Sequence, residues 1–312
     1  MIMFLIKVVT QDLHRNLGGF SKQIHESRTR SHATDIETVI FFTCDLEVSP
    51  KARAKTLSDH GLVSNVEILV DILNKYDIKG VFFAEGNVCQ DYAELIETLY
   101  KNGHEIGSHG FAHIPMTSLW FTPRFPKFSC ISTRVADIKK SKNVIKSIIG
   151  KEPISFRAPY LAIDDNMLVF LEKEGFLLDS SLYNPAFGKI SFPYHPSEDS
   201  VVSEGSLRIL EIPLTVSPFP QRKFLRYRLP HILELEEKQM ERTIVTLNNL
   251  FYIMKYPFAL FVVMIHPYEL DSPSTCSKIL TFLRTMKQNN ASSLKSDQLV
   301  RKYNLAKSMG PK

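Results

Sequence analysis

The 312-residue chain has only four cysteines, Cys44, Cys89, Cys130 and Cys276, and no two of them stand as CxxC. A zinc ribbon or thioredoxin-type redox pair is therefore excluded. The wide spacing suits free thiols in a reducing compartment better than two disulfides. No apolar run reaches the length of a membrane span. The opening MIMFLIKVV is apolar but short, is broken by Lys7, and has neither a basic start nor a small-residue cleavage site. It reads as the start of a strand or helix rather than a signal peptide, so a soluble, cytoplasmic protein is expected. Long runs of one charge are also missing. The net charge is +5, and the basic stretch QRKFLRYR (221–228) is brief; solvated faces explain it, and no nucleic-acid partner is expected. The metalloprotease motif HExxH is absent too, because His104 and His109 are five residues apart.

What is present is ordinary globular composition, 44% hydrophobic and 23% charged. The length allows one large domain or two small ones and a core that needs no staples. Residues 1–37 are expected to be a lead-in, since 10–36 is polar and lacks a period. From there apolar strands alternate with helical patterns. TVIFFTCD (38–45), KGVFFAEG (79–86), HEIGSHG (104–110), PISFRAP (153–159), FLLDSS (176–181), LRILEIPL (207–214) and FALFVVMIH (258–266) read as buried strands. Helices are predicted at 62–77, 92–103, 132–150 and 164–175. The second and third are closed by Gly103 and Gly150, and the last is capped by Asp164. Strands that are apolar throughout and separated by helices predict a parallel sheet covered on its faces. The expected class is therefore α/β, a distorted (β/α) barrel of about seven parallel strands over residues 38–290, with a basic tail at 291–312.

In such barrels chemistry gathers at the C-terminal ends of the strands. Seven polar residues from five strands fall there: Asp45, Glu47, His109, His113, Arg157, Asp179 and His266. Asp45 and Glu47 are two apart and share a face on an extended strand end, so both can address one small volume; the alternative is a pair of loop carboxylates capping the next helix. His109 and His113 are four apart. A helical turn would aim both imidazoles at one cation, although an HxxxH pair alone is as readily a loop feature. Arg157 offers a fork of donors suited to a carboxylate, or it is a surface arginine. Asp179 suits a turn as well as a site, and His266 a satisfied core histidine as well as an acid. Within NGHEIGSHGFAH (102–113), His104 and Glu105 fall at the start of the strand and read as structural.

Taken in order, FTCDLE, SHGFAH, RAPY, LDSS and MIHPYE resemble the five motifs of the polysaccharide deacetylase family, also called the NodB-homology or family-four carbohydrate esterase group. The likeness extends from about Val39 to Leu270. It implies a distorted barrel and metal-dependent removal of acetyl groups from amino sugars, with a carbohydrate substrate. It assigns metal binding to His109 and His113, the general base to Asp45, a clamp on Asp45 to Arg157, the general acid to His266, and a tuning role to Asp179. It also implies one divalent metal, zinc, with cobalt or nickel as alternatives. The backbone N–H of Tyr160 would face the developing oxyanion. The first motif departs from the common pair of adjacent aspartates: Leu46 stands in the ligand position, and Glu47 fits the Asp-x-Glu variant as third ligand. The aromatic insertion at 114–130 offers Trp120 as a sugar-stacking residue. Two alternatives remain open: a hydrolase of small non-peptide amides on the same fold, and a carbohydrate-binding barrel without turnover.

Overall fold

The computed structural model describes residues 36–55, 61–117, 130–182, 192–218, 221–223, 226–228 and 230–309. The Trp120 insertion and residues 1–35 lie outside this set. Seven strands form one parallel sheet: β1 (Thr38–Leu46), β2 (Val81–Ala84), β3 (Glu105–Ser108), β4 (Ser155–Phe156) and β5 (Leu178–Asp179), then, beyond the two-stranded hairpin of β6 (Pro196–Ser197) and β7 (Ser200–Glu204), β8 (Leu210–Glu211), and, beyond the hairpin of β9 (Gln221–Lys223) and β10 (Arg226–Arg228), β11 (Ala259–Ile265). Their order is β11-β1-β2-β3-β4-β5-β8, and the sheet curls so that its ends approach. Thr215, four residues past β8, donates its N–H to the Val262 carbonyl at 3.1 Å, and the Val262 N–H donates to Thr215 Oγ1 at 2.8 Å. A side-chain hydroxyl thus replaces the carbonyl that a regular strand would supply there.

Strand parity sorts the core. Val39 and Phe41 of β1, Val81 and Phe83 of β2, and Leu260 and Val262 of β11 share the interior cluster. Ile40, Phe42, Cys44 and Leu46, with Phe261, Val263 and Ile265, face the surrounding helices Leu62–Lys75, Glu237–Ile253 and Pro273–Gln288. The last two of these helices were not singled out in the sequence. All four cysteines are free thiols. No helix among the described residues is long and apolar enough to cross a membrane.

Residues 291–309 correct the expectation of a basic tail. Ser292–Ser293 (β12) pairs with the start of β1 at Val39 and Ile40, and the helix Ser296–Ser308 follows. Its cations face outward, while Leu299 and Tyr303 enter the interior cluster and plug the N-terminal end of the barrel. Glu105 anchors this helix by accepting from the Ser296 N–H at 2.8 Å and from the Ser155 hydroxyl at 2.6 Å. His104 accepts from the Gly80 N–H at 3.1 Å. Both residues therefore serve the structure, at the end opposite the polar rim. A plug of this kind should be costly to remove: Leu299→Ala is expected to lower stability by roughly 2–5 kcal/mol, the usual cost of emptying a buried leucine site, as read from urea unfolding curves.

Candidate active site

On β1 the inward parity that carries Val39 and Phe41 continues to Thr43 and Asp45, and on β11 that of Leu260 and Val262 continues to Met264 and His266. The chemistry-bearing residues are thus those whose alternation points into the barrel mouth. Leu46 has the opposite parity and is fully buried among the helices. Glu47 follows the last residue of the strand. Its N–H donates back to the Asp45 carbonyl at 3.1 Å, and the carboxylate returns to the mouth.

Arg157 is completely buried, and its donors tie three strands together. Nη1 donates to Asp45 Oδ1 at 2.7 Å and to Thr43 Oγ1 at 2.6 Å. Nε donates to the Ser180 carbonyl and Nη2 to the Ser180 hydroxyl, both at 2.8 Å. The guanidinium carbon lies 4.5 Å from the centre of the Phe83 ring. Burial opposes charge on Asp45, but Arg157, His109 and His266 together outweigh it and hold the carboxyl below its ordinary value.

Glu47, His109 and His113 are all buried, and one ligand atom from each lies within 4.8 Å of the others. Glu47 Oε2 is in close contact with His113 Nε2 and 3.7 Å from His109 Nε2. His109 Nδ1 is 2.8 Å from the Arg157 carbonyl. A carbonyl only accepts, so Nδ1 carries a proton there, and Nε2 is the nitrogen turned toward Glu47. Burial disfavours charge on Glu47, yet the two imidazoles win and keep its carboxyl well below the usual range. Burial likewise opposes charge on His109, while Glu47 and Asp45 raise its pKa; burial and the neighbouring cations lower that of His113. The pocket favours one positive charge beside Glu47 and disfavours a second.

The two imidazoles do not meet by the helical spacing expected from the sequence. Residues 109–113 form a bend in which Gly110 (φ 69°) and His113 (φ 52°) take left-handed backbone conformations. The ring centres are then 5.2 Å apart. Tyr160, also left-handed at φ 61°, is exposed and sets its ring edge-on to His113 at 4.5 Å.

His266 Nε2 lies 3.9 Å from Asp45 Oδ2 and 3.9 Å from Glu47 Oε1. The carboxylate on its far nitrogen belongs to Glu269, with Nδ1 to Oε2 at 3.2 Å, and the His266 N–H also donates to Oε2 at 2.8 Å. Burial works against charge on His266, but Glu269 and Asp45 raise its pKa. Tyr268 stacks on the imidazole at 5.0 Å and donates its hydroxyl to Glu47 Oε1 at 3.4 Å. Both residues belong to MIHPYEL. A helical turn starting at Pro267 puts the third residue after His266 back over its own N–H, and this is the signal that marks Glu269.

Asp179 is held within its own strand end. It accepts from the Ser181 hydroxyl at 2.6 Å and from the Ser181 N–H at 3.3 Å, and it stands directly opposite Glu211 across the β5–β8 pair. Both carboxyls are fully buried. Burial raises both pKa values; the charge on Asp179 drives Glu211 further up, while a hydrogen bond from Glu211 pulls Asp179 back down. The pair therefore holds a proton on Glu211 where separate carboxyls would be ionised.

With this geometry in view, comparison with known proteins shows what the chain resembles. Residues 49–177 match the family model described as polysaccharide deacetylase. That stretch is similar to the polysaccharide deacetylase family. The matched stretch includes His109, His113, Arg157 and Tyr160, and the fold adds Asp45, Glu47 and His266 from outside it. The chain is similar to the chitin deacetylase of Arthroderma benhamiae, 36% identical over 105 residues, which are 32% of this chain and 25% of that protein. It is also similar to the peptidoglycan deacetylase of Helicobacter pylori, 27% identical over 122 residues, 38% of this chain and 37% of that one. The chain thus spans well under half the length of either relative. A crystal structure from Mycobacterium smegmatis assigned to the polysaccharide deacetylases shares the fold, with a TM-score of 0.63 and 20% identity over 89% of this chain and 94% of that one.

The Asp179–Glu211 pair makes stability depend on pH. A group protonated in the fold but ionised in the unfolded chain binds fewer protons on unfolding, so stability falls as pH rises from the ordinary carboxyl value toward the raised folded value. As pH rises above the ordinary carboxyl value of about 4 the urea midpoint should decline, and Glu211→Gln should flatten that decline. An unchanged slope would show that Glu211 is ionised in the folded protein.

Proposed function

We propose that the chain is a metal-dependent hydrolase that removes N-acetyl groups from an amino sugar in a glycan or glycan precursor. The observation that carries this reading is the convergence of Glu47, His109 and His113 on one point, beside an arginine-clamped carboxylate and a carboxylate-held imidazole. The donors fit a divalent cation: one carboxylate and two imidazoles make a three-ligand set of the catalytic type. The buried Oε2 of Glu47 has no hydrogen-bond donor, which is the state expected of an oxygen reserved for a metal. Zinc suits this set, with cobalt or nickel as alternatives. When bound, such a metal supplies Lewis-acid polarisation of the amide carbonyl and a more acidic water.

The protein's own groups supply the rest. Asp45, kept ionised by Arg157, takes the proton of the attacking water through Oδ2, the oxygen that Arg157 does not hold. His266 gives its Nε2 proton to the departing sugar amine. Glu269, bonded to Nδ1, aims that proton at the mouth and favours the charged ring. The backbone N–H of Tyr160 donates to the oxygen that gains charge, while its exposed ring offers a face for a sugar. Asp179 takes no part in proton transfer. It braces Ser181, whose hydroxyl accepts from the Ala158 N–H at 2.8 Å, two residues before Tyr160.

A carbohydrate-binding barrel without turnover is the competing reading, motivated by Leu46 in the place of a ligand. Strand parity weakens it, because Leu46 faces the helices and Glu47 occupies the site. The test is an acetate-release assay across N-acetylated sugars and oligosaccharides, with chelator and with added zinc. Release should require metal. Asp45→Asn and His266→Ala should each reduce kcat by roughly 10²–10⁴ while metal content is kept, and His109→Ala should lose metal and activity together. Full activity in His109→Ala, or no release from any substrate with metal bound, would overturn the proposal.

A further inference from the structure

The bend that joins the two histidine ligands has no regular secondary structure, yet its middle residues are held from two sides. Asp137, on the helix Ile131–Ile149, accepts from the Phe111 N–H at 2.6 Å through Oδ2 and from the Ala112 N–H at 2.9 Å through Oδ1. From the other side, the first two N–H groups of the helix Gly86–Asp91 donate to the bend: Gly86 to the Gly110 carbonyl at 2.9 Å and Asn87 to the Phe111 carbonyl at 3.0 Å. The carboxylate grips the donors and the helix start grips the acceptors. Two glycines leave the room for this. A Cβ at Gly110 would lie 2.7 Å from Asp137 Oδ2, and one at Gly86 would lie 2.4 Å from the Phe111 ring. Lys140, one turn along from Asp137, caps the other face of the Phe111 ring at 3.6 Å.

The consequence lies at the histidines. His109 is fixed by its strand and by the Arg157 carbonyl, whereas His113 reaches Glu47 only because residues 110–112 hold one shape. The Nδ1 atom of His113 is buried without a hydrogen-bond partner, so its ring has no polar tether of its own away from Glu47. Its place is set by the backbone.

We infer that Asp137 is a positioning residue for metal binding: its bidentate grip on the 111–112 backbone sets the spacing between His109 and His113. The inference rests on the proposed metal site. Loss of an outer partner of a metal ligand typically weakens metal affinity 10–100-fold, and Asp137 should fall in that range, although it touches neither imidazole.

The test measures metal affinity directly, by competition between the purified metal-free chain and a chromogenic zinc chelator, alongside thermal melting. Asp137→Ala should bind zinc 10–100-fold more weakly than wild type. Asp137→Asn, which keeps one acceptor and places an amide donor against the second N–H, should fall between the two and serves if the alanine variant does not fold. Gly110→Ala should weaken zinc binding in the wild-type background, where the new methyl dislodges the carboxylate, and weaken it less when Asp137 is already alanine. A wild-type chain that binds no zinc would overturn both the metal site and this inference. Tight wild-type binding with equal affinity in the Asp137 variants would overturn the role of Asp137 alone, even if their melting temperatures fall, since a merely structural contact moves stability and not zinc affinity.

Discussion

The site depends on one fully buried guanidinium. Arg157 meets Thr43 and Asp45 on β1 and Ser180 after β5, and its own backbone joins the segment after β3: its N–H donates to the Ser108 carbonyl at 3.0 Å and its carbonyl accepts from His109. One residue thereby fixes the orientation of a metal-site imidazole, the ionisation of a carboxylate and the start of the loop that leads to Tyr160. A buried charge is tolerable only when it is paired and its remaining hydrogens are satisfied, and here each named donor of the guanidinium has an acceptor. The same requirement makes the arrangement brittle. Without the arginine, Asp45 would be a carboxylate in a dry wall and would tend to pick up a proton.

Three carboxylate environments lie around this cation and are tuned in opposite directions. Asp45 is buried but clamped, and stays ionised. Glu47 is buried against two imidazoles and stays ionised. Asp179 and Glu211 are buried against each other, and one proton resolves the conflict. Environment rather than residue type separates these roles: Asp45 has Arg157 and two imidazoles beside it, whereas Asp179 faces a second buried carboxyl. The pair behind the site contributes rigidity through Ser181 and Leu182, whose N–H donates to Glu211 at 3.2 Å.

Much of this was legible in the sequence, for reasons of periodicity. Strands buried on both faces are uniformly apolar, so their ends are conspicuous, and a polar residue just past such an end lies on the rim. The i, i+2 relation between Asp45 and Glu47 placed both on the inward face and excluded Leu46. What could not be read has equally physical causes. The cations of the helix Ser296–Ser308 hid two core residues, Leu299 and Tyr303, because a plugging helix needs only a narrow apolar stripe. Pairing between residues distant in the chain, such as Asp179 with Glu211, leaves no local pattern. The bend between the histidines has the spacing of a helical turn and a different backbone, and two glycines and a distant aspartate are what distinguish the two.

That last case bears on how such a site can vary. His109 and His113 were read as a pair because they stand four apart, but four residues in a bend do not enforce the geometry that four residues in a helix would. The spacing becomes a distance only when something holds the intervening backbone, and here the holder comes from a helix that begins at Ile131, beyond the insertion at 114–130. Segments between a ligand and its brace can change length freely so long as the helix returns Asp137 to the 111–112 amides. Among the described residues, the proposed metal geometry is carried by the contacts of Asp137, Gly86 and Asn87 with this bend.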